Sequence, residues 1–154
     1  MSKKRVITYG TFDMFHVGHL RLLKRLKEMG DELIVAVSTD EFNEIKGKKT
    51  LIPFDQRVEI LSSIQYVDKI IPEESWEQKI KDIQTYNIDL FVIGDDWKGK
   101  FDFLKEYCEV RYIERTKDIS TTQLKKSLTN FLSIPKEDIL KAFEILDALK
   151  KDFS

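Results

Sequence analysis

The chain has 154 residues, 42% hydrophobic and 34% charged, the composition of one ordinary domain with a real core. Its formal net charge is -1, so no global field draws it to nucleic acid or to a membrane surface, and neither partner is expected. Cys108 is the only cysteine, which excludes an intramolecular disulfide and agrees with a reducing cytoplasm, while neither MSKKRVITYG at the start nor any later run has the apolar length of a signal peptide or a membrane span.

RVITYG (5–10) is a β-branched run ending in glycine and reads as a strand. VGHLRLLKRLKEMG (17–30) carries Leu20, Leu23 and Leu26 at helical spacing, with Gly30 at the stop. ELIVAVS (32–38) is nearly continuous in apolar residues, as expected of a strand buried on both faces. EFNEIKGKKTLIP (41–53) loses periodicity and reads as a long basic loop. FDQRVEILSSIQ (54–65) is helical, with Val58, Leu61 and Ile64 on one face, and VDKIIP (67–72) is a strand. SWEQKIKDIQTY (75–86) is a helix, DLFVIG (89–94) a buried strand, DFLKEY (102–107) a helical turn or two, and EVRYI (109–113) a strand. STTQLKKSLTNFL (120–132) is a helix. In IPKEDILKAFEILDALKKDF (134–153), Ile139, Leu140, Phe143, Leu146, Leu149 and Phe153 share one helical face.

Strands alternate with helices, so the expected fold is α/β: a Rossmann-like parallel sheet of about five strands with helices on both faces. Residues 1–132 form the domain, and 133–154 form an amphipathic helix packed on it or on a partner subunit. Such sheets bind ligands beyond the carboxyl ends of their strands, where strand order reverses. GTFDMFHVGH, GDDWKGK and RTKDISTT each follow a strand, so one crevice can hold all three.

GTFDMFHVGH holds both histidines of the chain. His16 and His19 are three residues apart across a helix start, which puts both rings on one side. Free amides and the positive end of the helix dipole face the same way, and Gly18 admits a close backbone approach. Such a group suits charge developing on a phosphoryl. Two other readings stand: a metal site, for which Asp13 is the one obvious local third ligand, and two unrelated histidines. The stretch is neither a dinucleotide fingerprint nor a P-loop. In RTKDISTT, Ser120 with Gln123 makes a capping box. The helix amides there, with Arg115 and the hydroxyls of Ser120, Thr121 and Thr122, form a second candidate anion site. KGKK (46–49) reads as a solvated charge run or as a basic loop that closes over phosphates.

H-x-G-H after G-T-F-D, followed by STDEFN, YVDKIIPE, WEQK, GDDWKGKFDFL and RTKDISTT in order, resembles the cytidylyltransferases of the nucleotidyltransferase superfamily over residues 4 to 125. The nearest branch is the one that acts on glycerol 3-phosphate. The resemblance implies CMP transfer from CTP to a phosphorylated alcohol, with magnesium, in a cytoplasmic homodimer that supplies teichoic acid or capsular polysaccharide synthesis. It implies that His16 and His19 donate to the α-phosphate, and that Lys46 meets the acceptor or the reacting phosphates. For CTP it implies Thr11, Phe12, Asp13, Val17, Gly18, Lys48, Gly94, Asp96, Arg115, Thr116, Ile119, Ser120, Thr121 and Thr122. For the acceptor it implies Lys79 beside Lys46, with Arg57 as a further anion contact and Trp76 and Trp97 shaping the pocket. Asp13 and Asp96 are expected to orient groups or the metal. Gln65 stands where relatives often carry arginine, and Val17 where they often carry tryptophan; a neutral amide cannot replace the bidentate grip of a guanidinium on phosphate.

Overall fold

The structure, a computed structural model, describes residues 3–114 and 121–152. The chain divides into two compact units, Met1–Ile119 and Ser120–Ser154. The first is built on five parallel strands: β1 (Arg5–Gly10), β2 (Glu32–Ser38), β3 (Lys69–Glu73), β4 (Leu90–Gly94) and β5 (Glu109–Ile113), in the order β3-β2-β1-β4-β5. Its helices are α1 (Val17–Glu28), α2 (Asp40–Ile45), α3 (Phe54–Ser62) and α4 (Gln78–Thr85). The second unit holds α5 (Thr121–Leu132) and α6 (Lys136–Asp152).

Successive strand residues point to opposite faces, so the apolar runs feed two cores. Val6, Leu33, Val35, Leu90 and Val92 meet Leu23 and Leu26 of α1 and Leu61 of α3. Their neighbours Ile7, Ile34, Ala36, Phe91 and Ile93 meet Ile83 of α4 and Leu104. Strands β1, β2 and β3 step one way across the sheet; the chain then returns to the other side of β1 for β4 and β5. That reversal opens a crevice at the carboxyl ends of β1 and β4. Gly30 stops α1 for a reason of space: a Cβ there would lie 2.7 Å from Val6 Cγ2 and 2.8 Å from the Lys4 carbonyl oxygen.

The stretch 41–53 is not a loop throughout. Residues Asp40–Ile45 form α2, capped by Thr39, whose Oγ1 accepts from the Phe42 amide at 3.1 Å. Six residues bury only Phe42 and Asn43, too few for a helical period to show. Helix α4 begins later than its apolar pattern because Gln78 Oε1 accepts from the Glu74 and Ser75 amides at 2.6 and 3.0 Å and holds that stretch in a turn. Residues 102–106 form a 3-10 helix. Helix α6 carries Glu137 and Asp138 in its first turn and Lys150 and Lys151 in its last, each sign where the helix dipole favours it. Its Leu140, Phe143, Leu146 and Leu149 are exposed. Among the described residues no helix is long and apolar enough to cross a membrane.

Candidate active site

The turn after β1 is strained where it meets the site. Phe12 and Met14 have φ of 54° and 52°, a left-handed conformation that costs a non-glycine residue energy. Gly10 makes room for the result, since a Cβ on it would lie 2.8 Å from the Phe12 ring. The buried Phe12 ring in turn meets the His19 imidazole edge-on at 5.4 Å, and Phe15 meets it at 5.4 Å.

His16 is the N-cap of α1, with extended backbone (φ -140°, ψ 177°). Its Nδ1 accepts from the Gly18 amide at 3.1 Å, and His19 Nδ1 accepts from the His16 amide at 3.2 Å. This is a capping box in which imidazoles do the work usually given to serine and glutamate. The two rings stack with centroids 3.9 Å apart. The arrangement assigns the tautomer, because a neutral ring that accepts at Nδ1 carries its proton at Nε2. Burial holds the His16 imidazole below its ordinary value, so it is neutral at pH 7. The helix start therefore holds two stacked imidazoles that both accept backbone amides at Nδ1.

Asp13 and Arg57 take positions that the sequence reading did not give them. Asp13 is buried, and its two carboxylate oxygens accept from the Leu51 and Ile52 amides, each at 2.9 Å. Arg57 is 1% exposed. Its Nε donates to the Ile52 carbonyl (2.9 Å), Nη1 to the Thr11 and Ser38 carbonyls (2.8 Å each) and Nη2 to Asp40 (2.7 Å). Four of the five guanidinium donors are thus committed to protein, so Arg57 ties the loops after β1 and β2 to residues 51–52 and is not an anion contact. Burial alone would raise the Asp40 carboxyl; the Phe54 amide and the Arg57 guanidinium outweigh it and hold the group below its ordinary value.

Near this clamp lies a small, partly open concavity. Tyr9, Gly10, Glu73 and Ile93 line it from the strand ends, Lys46, Lys48 and Lys79 supply charge, and Trp76, Trp97 and Phe101 form its aromatic wall. Lys79 is 1% exposed, its Nζ 2.9 Å from Glu73 Oε2 and over the faces of Tyr9, Trp76 and Phe101 at 4.5, 5.1 and 5.2 Å. Lys46 Nζ donates to Ser38 Oγ at 3.0 Å and lies 3.8 Å from Glu73 Oε1. Desolvation pushes the Lys46 ammonium down to about 8, against the pull of Glu73. Thr11 Oγ1 donates to Asn43 Oδ1 at 2.9 Å, and the Lys48 amide donates to the Asn43 carbonyl at 2.8 Å, tying the basic loop to β1.

The structure therefore brings together Thr11, Phe12, His16, Gly18 and His19 around one turn and Lys46, Lys48 and Lys79 around one pocket. Gly94 ends β4, and Asp96 is exposed in the 3-10 turn that follows. Val17 is exposed at the start of α1, and Gln65 is exposed beyond the end of α3, outside the pocket lining. Arg115, Thr116, Ile119 and Ser120 lie outside the described residues; Thr121 and Thr122 open α5 in the second unit. Among the described residues no group of three or more His, Cys, Asp or Glu is placed to hold a metal. Sequence reasoning gave no role to Ser38 and Glu73, the last residues of β2 and β3. Polar groups ending otherwise apolar strands were the signal available.

Comparison with known proteins agrees with this geometry. The family model described as cytidylyltransferase-like matches residues 7–127. The glycerol-3-phosphate cytidylyltransferase of Bacillus spizizenii is 62% identical over 127 residues, 82% of this chain and 98% of that protein. That of Staphylococcus aureus is 58% identical over 125 residues, 81% of this chain and 95% of that protein. Among solved structures, the lipopolysaccharide core biosynthesis protein of Thermoplasma volcanium superposes with a TM-score of 0.66 at 27% identity, covering 75% of this chain and 99% of that one. With the paired histidines capping α1 at the point where strand order reverses, and a match that spans the sheet and its crevice, the chain belongs to the cytidylyltransferase-like family.

Proposed function

We propose that the chain transfers CMP from CTP to glycerol 3-phosphate, giving CDP-glycerol and pyrophosphate. The observation that carries this is the capping box of two histidines beside a pocket that holds three lysines. The names of relatives 58 to 62% identical to this chain supply the nucleotide and the acceptor.

A phosphate oxygen of the acceptor attacks the α-phosphorus of CTP in line; the bond from that phosphorus to the bridging oxygen breaks, and pyrophosphate leaves with the electron pair. No covalent bond to the enzyme is needed. His16 and His19 donate through Nε2 to the α-phosphate oxygens as charge grows there, and being neutral they release no proton to the product. The first amides of α1 add to the same field. Lys46 and Lys79 hold the acceptor phosphate while the aromatic wall excludes water, which makes the step one of positioning and charge stabilisation. Lys48 reaches CTP from the loop that Asp13 and Arg57 fix. Arg115, Thr116, Ile119, Ser120, Thr121 and Thr122 are assigned to CTP on the family resemblance.

Magnesium fits as an ion carried by the triphosphate, since it keeps water and phosphate ligands and needs one or two carboxylates rather than a protein cage. Bound there it would neutralise charge on the phosphates; Asp95 and Asp96 are exposed carboxylates directly after the crevice end of β4. A homodimer and a cytoplasmic setting rest on the family resemblance and the single cysteine.

The test is a turnover panel: CTP against ATP, and glycerol 3-phosphate against other polyol phosphates, phosphocholine and phosphoethanolamine. CTP with glycerol 3-phosphate should give the highest kcat/KM. A wide preference for ATP, or for an amino-alcohol phosphate, would overturn the assignment.

A further inference from the structure

The acceptor pocket contains a carboxylate with no evident reason to face a phosphate. Glu73 is 3% exposed, at the carboxyl end of β3, and its register partner on β2 is Ser38, itself fully buried. Glu73 Oε2 accepts from Lys79 Nζ at 2.9 Å. Glu73 Oε1 accepts from Ser38 Oγ at 2.6 Å, and the same hydroxyl accepts from Lys46 Nζ at 3.0 Å. One carboxylate thus organises two ammonium groups, one directly and one through a hydroxyl relay.

A carboxylate this close to a phosphate repels it, so a charge count alone makes Glu73 a burden. The surroundings give the opposite answer. Lys79 sits among Tyr9, Trp76 and Phe101 with its side chain 1% exposed. A desolvated ammonium without an anion is costly to bury. Ring faces attract a cation but accept no strong hydrogen bond and carry no net charge. Among the described residues, Glu73 is the only carboxylate within 4.0 Å of the Lys79 ammonium. Three lysines and one glutamate line the pocket, so it stays net positive with Glu73 in place.

Resting on the acceptor assignment above, we propose that Glu73, with Ser38, is a positioning residue for the acceptor phosphate: it pairs the buried Lys79 side chain and fixes Lys46 and Lys79 at one spacing. The two lysines it fixes are assigned to the acceptor, so its removal is expected to act on the acceptor rather than on CTP.

The experiment compares wild type, Glu73→Gln, Glu73→Asp and Ser38→Ala with the phosphorylated alcohol that the wild type uses best, and titrates inorganic phosphate into each by calorimetry. Glu73→Gln should raise the acceptor KM about ten- to hundred-fold, the loss expected of one charge-assisted contact, with the CTP KM unchanged. Glu73→Asp keeps the charge and should recover part of the loss. Ser38→Ala creates no unpaired buried charge, so it keeps the inference testable if Glu73→Gln does not fold; it should raise the acceptor KM and spare that of CTP. Tighter acceptor or phosphate binding by Glu73→Gln, as the charge count demands, would overturn the proposal. So would equal losses for both substrates, or an unchanged acceptor KM in Ser38→Ala. If the best acceptor is not glycerol 3-phosphate, the acceptor assignment falls while Glu73 is judged by the same ratios; if there is no turnover at all, the phosphate titrations judge it alone.

Discussion

His16 has two jobs that different atoms perform. Nδ1 caps α1, and on the proposed mechanism Nε2 donates to the α-phosphate. His16→Asn separates them, since asparagine is among the best N-caps but has no equivalent of Nε2. We expect His16→Asn to keep the melting temperature and lose turnover by about a hundred-fold or more, the usual cost of one charge-stabilising donor. His16→Ala should lose the same turnover and about 1 kcal/mol of stability besides. Thermal melts with steady-state rates decide it, and turnover near wild type in either variant would remove the histidine from the mechanism. The cap also sets a pH dependence. The folded His16 value lies below the unfolded one, so the folded state binds fewer protons and stability falls as the pH drops below about 6.5. His16→Asn should flatten that slope. Lys46 governs the alkaline side, because its ammonium is held near 8. With the acceptor's own phosphate ionising near about 6, the acceptor kcat/KM should fall above about pH 8 as Lys46 deprotonates. An alkaline limb that survives Lys46→Gln unchanged would assign it elsewhere.

Elements explain what the sequence could and could not disclose. The strands were legible because burial on both faces leaves nearly unbroken apolar runs, and α1 was legible because Leu23 and Leu26 face one core. Helix α2 was hidden by its shortness, and the role of Arg57 by its type: an arginine in a resembled anion-binding family suggests an anion, whereas its bonds to Thr11, Ser38 and Asp40 depend on two segments distant in sequence. The histidine pair was legible from spacing, but its tautomer was not, since that depends on which amides the rings meet. The clamp makes a prediction at this scale. Arg57→Lys leaves buried carbonyls without donors, and should cost about 2–4 kcal/mol, seen as a lower urea midpoint. Unchanged stability with a raised substrate KM would instead make Arg57 a ligand contact. The close approach of the α1 stop to β1 makes another: Gly30→Ala forces a methyl against Val6 and the Lys4 carbonyl, and should cost about 1–3 kcal/mol as overpacking does.

At the scale of the whole molecule, the sheet reversal brings a helix start and a lysine pocket to the same edge, which no single segment reveals. The family match ends at residue 127, and a 127-residue alignment already spans 98% of the Bacillus spizizenii relative. Residues 133–154 lie beyond the family match, and their removal should leave turnover intact while changing stability or the oligomeric state seen by light scattering. The most direct test of the account is a phosphorus NMR time course with CTP, magnesium and glycerol 3-phosphate. The account predicts that CTP disappears only when the acceptor is present, and that CDP-glycerol and pyrophosphate appear in equal amounts. CTP breakdown to CMP without the acceptor, or no acceptor-dependent pyrophosphate from a folded protein, would contradict it.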